Sequence, residues 1–186
     1  MNTALILIDV QESFRQEPGW DEAASRPSLV RTNTLLGGAA ARGVPIVRIL
    51  HCDGPAVATN PFAVESGFVR PLEGLVPFEA AAEFVKHRHS ALVGTGLSDW
   101  LREHGIGRLI IAGIRTEQCC ETTARHASDE GFAVDYCAEA TLTFDMKHLD
   151  GTPLKAADIV ARTTAVLTDR FATICGVEQA LERATG

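Results

Sequence analysis

Residues 4–9, Ala4-Leu-Ile-Leu-Ile-Asp9, decide the fold, because they form a short apolar run that ends abruptly at a carboxylate. A continuous apolar run of this length is typical of a strand that is buried on both faces, as in a parallel sheet. Similar runs follow at residues 44–50 (VPIVRIL) and 108–112 (RLIIA). We therefore expect residues 4–8 to form a central strand of an α/β sheet.

Segments that predict helices lie between the apolar runs. The predicted helices are 29–42 (with Ser28 as the N-cap), 97–104, 116–130, 155–170 and 177–183, and the remaining predicted strands are 83–86, 132–137 and 171–175. Strands that alternate with helices predict a mostly parallel sheet, here of six strands, covered by helices on both faces. We expect residues 51–77 to be irregular, and residues 1–186 to form a single domain.

The charge of the chain restricts its partners. The net charge is −7, which disfavours nucleic acid. The apolar runs are far too short to cross a bilayer, and the N-terminus lacks the basic region of a signal peptide. We expect a soluble, cytoplasmic protein whose partner is a small molecule, without nucleic acid or membrane.

Three chemically useful side chains follow the predicted strands. Asp9 ends the first strand, Lys86 ends the third, and Cys119 follows the fourth after a turn that contains Gly113. Ligands of open α/β sheets bind at the carboxyl ends of the strands, so these side chains share one edge. A nucleophile, a proton-transfer group and a cation are the parts that acyl transfer requires.

Cys119 is the sharpest candidate among five cysteines, all of which we expect to be reduced thiols. It lies near the start of a predicted helix, where N–H groups favour a thiolate and can bind an oxyanion. We expect Lys86 to lower the thiol pKa further. Each residue could instead have a purely structural role. Cys119 could pack in the core, Asp9 could cap a turn, and Lys86 could be exposed to solvent. Cys120 points about 100° away on a helix and is expected to pack in the core.

Three segments resemble the isochorismatase-like cysteine hydrolases. They are LIDVQ (residues 7–11, with Phe14 just after), KHRHS (residues 86–90) and GIRTEQCCETTAR (residues 113–125). The segments occur in the order of that family and cover nearly the whole chain. The resemblance includes the amidase branch, to which nicotinamidases and N-carbamoylsarcosine amidases belong.

The resemblance implies a six-stranded, Rossmann-like three-layer sandwich and a triad of Cys119, Asp9 and Lys86. It also implies an oxyanion hole from the backbone N–H groups of Cys119 and Arg115, with a cis peptide between Ile114 and Arg115. Members of the family form homo-oligomers, so we expect a dimer or tetramer.

The resemblance further implies cleavage of a C–N bond in an amide, lactam or ureido compound through a thioester. Two alternatives stay open: hydrolysis of a vinyl ether, as in isochorismatases proper, and a non-catalytic interaction module. Metal-binding members carry Asp-x-His after the second strand, whereas residues 51–53 here read His-Cys-Asp. We therefore expect no metal and no cofactor.

Aromatic residues near the predicted sheet edge are candidates for the substrate pocket. The candidate substrate-binding residues are Phe14, Trp20, Phe62, Arg115 and Phe144. The guanidinium of Arg115 is suited to bind a substrate carboxylate. The alternative is that the Arg115 side chain points to solvent.

Overall fold

A six-stranded sheet runs through the protein, and all of its strands are parallel. The computed structural model describes residues 1–185. The strands are β1 (Asn2–Ile8), β2 (Ile46–His51), β3 (Ala82–Lys86), β4 (Ile106–Ile114), β5 (Ala133–Leu142), β6 (Met146–Lys147), β7 (Pro153–Leu154) and β8 (Thr173–Cys175). The sheet order is β3-β2-β1-β4-β5-β8, while β6 and β7 form a separate antiparallel pair. The order reverses between β1 and β4, which is where an α/β sheet opens a crevice for ligands.

Helices cover both faces of the sheet, which confirms the predicted three-layer sandwich. The helices are α1 (Glu22–Ala41), α2 (Leu97–Glu103), α3 (Glu121–Asp129), α4 (Ala156–Leu167) and α5 (Val177–Arg183). Residues of α1 and α5 belong to one apolar core, and residues of α2, α3 and α4 belong to the other. Within residues 1–185, no helix combines the length and the apolar character needed to cross a membrane.

The apolar run of β1 serves both cores. Ala4, Ile6 and Ile8 pack on the side of α2 and α3, whereas Leu5 and Leu7 pack on the side of α1. All five side chains are at most 1% exposed. Each buried Leu or Ile contributes about 1.5–3 kcal/mol. A strand with two buried faces therefore shows no polar alternation in its sequence.

The first helix begins earlier than the sequence predicted. It starts at Glu22, and the carboxylate of Asp21 accepts hydrogen bonds from the amides of Ala23 and Ala24 at 2.9 and 3.0 Å. The predicted N-cap, Ser28, lies inside the helix, as does Pro27. The prediction was wrong because Asp21 caps the helix and Pro27 is accommodated in its second turn.

The segment before α3 differs from the predicted continuous helix. Thr116–Cys120 form one wide turn of π type, and the α-helix begins only at Glu121. Such wide turns occur often at functional sites. The short hairpin of β6 and β7 lies in a segment that the sequence analysis left as a loop.

Gly113 brings the ends of β1 and β4 together. Its φ is +136°, and a Cβ at this position would lie 1.9 Å from the carbonyl oxygen of Ile8. Only glycine fits such a backbone approach. The close approach sets the turn after β4 directly beside Asp9, the residue that follows β1.

Candidate active site

Asp9, Lys86 and Cys119 meet at the carboxyl edge of the sheet. The Nζ atom of Lys86 lies 2.8 Å from Oδ2 of Asp9 and 3.3 Å from Sγ of Cys119. Asp9 and Lys86 are completely buried, and Cys119 is 4% exposed. The sequence placed these residues on one edge, and the structure brings them into direct contact.

The backbone fixes each of the three side chains. Asp9 has a φ of +55°, in the left-handed region that aspartate tolerates better than most residues, and its amide bonds to Ile49 O at 2.9 Å. Lys86 is the last residue of β3. Cys119 lies in the wide turn Thr116–Cys120. All three positions therefore rest on the sheet or on the turn that leaves it.

His51 is a fourth member of this cluster, and the sequence analysis left its role open. Its Nδ1 atom lies 3.1 Å from Lys86 Nζ, and its side chain is buried. His51 and Lys86 are register partners at the ends of β2 and β3. Two polar residues at the ends of adjacent parallel strands are the signal that could have found this contact.

A buried glutamine holds the backbone of His51. Gln11 accepts the His51 amide at 2.7 Å and donates to the His51 carbonyl at 3.0 Å. The same side chain donates to Ser13 Oγ at 2.7 Å. Gln11 is completely buried, so the end of β2 is fixed from the side of the segment that follows β1.

Burial dominates the protonation of the acid and the thiol. Burial raises the pKa of Asp9 from 3.8 to about 6, although the nearby Lys86 acts to lower it. Burial, together with the charge of Asp9, raises the pKa of Cys119 from 9.0 to about 12, against the opposing effect of Lys86. The prediction of a resting thiolate with a lowered pKa is therefore wrong. A thiolate beside the Asp9 carboxylate would leave net negative charge in a buried site.

A small pocket opens onto Cys119. Its volume is about 210 Å³. It is lined by Phe14, Glu17, His51, Asp53, Phe62, His89, Arg115, Gln118 and Cys119. Three of the five predicted substrate-binding residues are among them, while Trp20 and Phe144 are not.

Phe144 and Trp20 lie behind the pocket wall. The ring of Phe144 packs against Phe14 with centroids 6.3 Å apart, and Trp20 packs on Phe144 at 5.8 Å. Trp20 lines a larger cavity of about 480 Å³ beneath α1, which does not contain Cys119. Neither residue lines the pocket that opens onto Cys119, so the geometry does not support contact of Trp20 and Phe144 with a substrate in that pocket.

Arg115 is held by two neighbours. Its Nη2 atom lies 3.1 Å from Oε1 of Glu117, and its guanidinium lies over the ring of Phe144 at 5.2 Å. The Ile114–Arg115 peptide bond is cis. The charge of Arg115 is thus already balanced by Glu117, which weakens the predicted match to a substrate carboxylate.

The other four cysteines are not among the residues that line the pocket of Cys119. Cys52, Cys120, Cys137 and Cys175 are free and buried. Among residues 1–185, no three His, Cys, Asp or Glu side chains are grouped so that they could hold a metal ion. The sequence expectation of no metal stays a prediction.

Comparison with known proteins identifies related sequences and structures. The isochorismatase domain model matches residues 3–177. The isochorismatase family protein YrdC of Bacillus subtilis is 29% identical over 177 residues, which cover 95% of this chain and 92% of YrdC. Nicotinamidase 3 of Arabidopsis thaliana is 27% identical over 170 residues, covering 83% of this chain and 80% of its own. A hydrolase of Chromobacterium violaceum assigned to the isochorismatase family superposes with a TM-score of 0.84 at 28% identity, covering 100% of this chain and 94% of its own.

Proposed function

We propose that this chain, which belongs to the isochorismatase family, is a cysteine-dependent hydrolase that cleaves a C–N bond of a small molecule. The observation that carries the proposal is the buried contact of one ammonium with both a carboxylate and a thiol, at 2.8 and 3.3 Å, beside a pocket. A nucleophile within reach of a base that a third group orients is the geometry of covalent acyl transfer.

The proton chemistry follows from the charges in the cluster. With Asp9 ionised and Lys86 charged, the resting cluster with a neutral thiol carries no net charge. Asp9, with a pKa near 6, is ionised at neutral pH and close to the optimum for a general base. We propose that it takes the thiol proton as Cys119 attacks, so that negative charge moves to the substrate and never rests on sulfur.

The remaining steps use the same groups. Cys119 Sγ bonds to the amide carbon, and the backbone N–H groups of Cys119 and Arg115 stabilise the oxyanion. Asp9 then gives the proton to the leaving nitrogen, which departs as the C–N bond breaks. A water molecule that passes a proton to Asp9 attacks the thioester, and the thiol is regenerated when Asp9 returns that proton.

The pocket favours a small substrate without a carboxylate. A space of about 210 Å³ suits a ring or a short chain. Arg115 is neutralised by Glu117, while Glu17 and Asp53 add negative charge at the lining. The similarity to nicotinamidase 3 supports an amide with an uncharged ring as the class to test first.

Ammonia release from nicotinamide and from a ureido acid, together with ring opening of a lactam, measured with the wild type and two cysteine variants, tests the proposal. Cys119→Ala should abolish turnover, whereas the matched control Cys120→Ala, which removes the neighbouring buried sulfur, should keep it. Rapid acid quench during turnover should reveal a covalent acyl adduct on Cys119 by mass spectrometry. Undiminished turnover in Cys119→Ala would refute the thiol mechanism. Hydrolysis of a vinyl ether but of none of these C–N substrates, unchanged in Cys119→Ala, would favour the chemistry that needs only the acid.

A further inference from the structure

The ammonium of Lys86 has three polar neighbours. An ammonium carries three N–H bonds and no acceptor. Lys86 forms an ion pair with Asp9 Oδ2 at 2.8 Å and lies within hydrogen-bond distance of Cys119 Sγ at 3.3 Å and His51 Nδ1 at 3.1 Å. The proposed mechanism uses only the contacts of Lys86 with Asp9 and Cys119, so the contact with His51 has no role in it.

The contact with Lys86 fixes the tautomer of His51. Because the ammonium can only donate, Nδ1 must carry a lone pair, and the ring proton is on Nε2. Burial, reinforced by the charge of Lys86, lowers the pKa of His51 from 6.5 to about 4, so the ring is neutral at physiological pH. The other charged or titratable groups that act on it are Asp53, which raises its pKa, and His89, which lowers it.

The ring of His51 forms part of the lining of the substrate pocket. His51 lines the pocket that contains Cys119, and Phe62 packs on the ring with centroids 5.9 Å apart. Oδ2 of Asp53 is 4.0 Å from Nε2, which is too far for a hydrogen bond. Among residues 1–185 the Nε2 atom makes no hydrogen bond, so its N–H is available to a ligand.

We infer that His51 both positions Lys86 and recognises the substrate. Nδ1 accepts the third N–H of Lys86 and so aims the other two at Asp9 and Cys119. Nε2–H donates to an acceptor atom of the substrate, such as a second carbonyl oxygen or a ring nitrogen. This inference rests on the proposed function, since it assigns one further residue to the same site and narrows the substrate to molecules with such an acceptor.

Three substitutions separate the two contacts. The amide oxygen of His51→Asn reaches the position of Nδ1, whereas the amide of His51→Gln reaches the position of Nε2. His51→Leu keeps much of the volume and removes both polar atoms. The alkylation rate of Cys119 by iodoacetamide reports the positioning of Lys86, and KM for the best substrate in the amide panel reports the substrate contact.

The expected results differ between the variants. His51→Asn should alkylate within about 2-fold of the wild type but raise KM about 10-fold, the value of one ordinary hydrogen bond. His51→Gln should keep KM within about 3-fold but slow alkylation and kcat by about 10-fold, because Lys86 loses one acceptor. His51→Leu should show both losses. The matched control His148→Leu, on the exposed hairpin, should show neither.

Two outcomes would overturn the inference. One is unchanged alkylation and KM in His51→Leu. The other is an equal loss in all three variants that follows a loss of melting temperature, which would make His51 a packing residue. Failure of the proposed function is distinguishable, because Cys119→Ala would then retain turnover, and the alkylation rates would still decide whether His51 positions Lys86.

Discussion

The buried carboxyl of Asp9 should make the protein less stable as the pH rises from 4 to 7. Its pKa is about 6 in the folded protein, against 3.8 for an ordinary aspartate. Between these values the folded state binds more protons than the unfolded state, so the free energy of unfolding falls as pH rises. The difference corresponds to about 3 kcal/mol at 1.36 kcal/mol for each pH unit.

Comparison with Asp9→Asn separates the effect of Asp9 on the pH dependence of stability from the effects of the other carboxylates. The free energies of unfolding of the wild type and of Asp9→Asn are measured in urea at pH 4, 5, 6 and 7. The wild type should lose about 2 kcal/mol relative to Asp9→Asn between pH 4 and pH 7, with most of the loss complete by pH 6, because part of the full difference falls below pH 4. Asp129→Asn, at the exposed end of α3, serves as the control for removing one carboxylate at the surface.

The direction of the difference is the decisive result. If the wild type gained stability relative to Asp9→Asn as pH rose, Asp9 would be stabilised in its ionised form by Lys86 more than it is penalised by burial. That result would refute the general-base argument, because an aspartate with a lowered pKa would be a weak base. Protonation of Asp9 removes the general base, so kcat/KM should also fall as the pH drops below about 6.

Three further predictions concern the backbone, the pocket and the assembly. Gly113→Ala should destabilise the fold by more than about 3 kcal/mol in urea, because its Cβ would collide with Ile8 O, whereas Gly37→Ala in α1, with free space around it, should be neutral or stabilising. Glu117→Gln should free the charge of Arg115 and lower KM for a ureido acid relative to nicotinamide, and an unchanged ratio would exclude Arg115 from recognising a carboxylate. Sedimentation at micromolar concentration should give a dimer or tetramer, in which the loop of residues 52–77 covers the site of a neighbour, and a monomer would contradict this.

The sheet was predictable because its signal is local. The run of residues 4–8 is apolar throughout since alternate side chains enter different cores. Asp9, Lys86 and Cys119 could be assigned to one edge because parallel strands end on the same side. The start of α1 was not predictable in the same way, because Asp21 and Ser28 are both good caps and the choice depends on whether Pro27 fits the helix.

Features of the site that depend on three-dimensional packing could not be predicted from the sequence. The wide turn Thr116–Cys120 has no pattern of its own in the sequence, and the pairing of His51 with Lys86 depends on the register of β2 and β3. Trp20 and Phe144 are aromatic residues near the sheet edge, yet only the structure shows that neither lines the pocket, although Phe144 packs against the lining residue Phe14.

The expectation that the pKa of the Cys119 thiol is lowered was wrong for a physical reason. Position near a helix start predicted a lowered pKa, and that argument holds for a thiol that is open to water. At Cys119, which is 4% exposed, the loss of solvation and the adjacent carboxylate outweigh the helix and the ammonium. Lys86 is already paired with Asp9, so its charge cannot also stabilise a second anion fully. The site therefore favours coupled transfer, in which the thiol loses its proton to Asp9 only when the substrate carbon is there to accept the sulfur electrons.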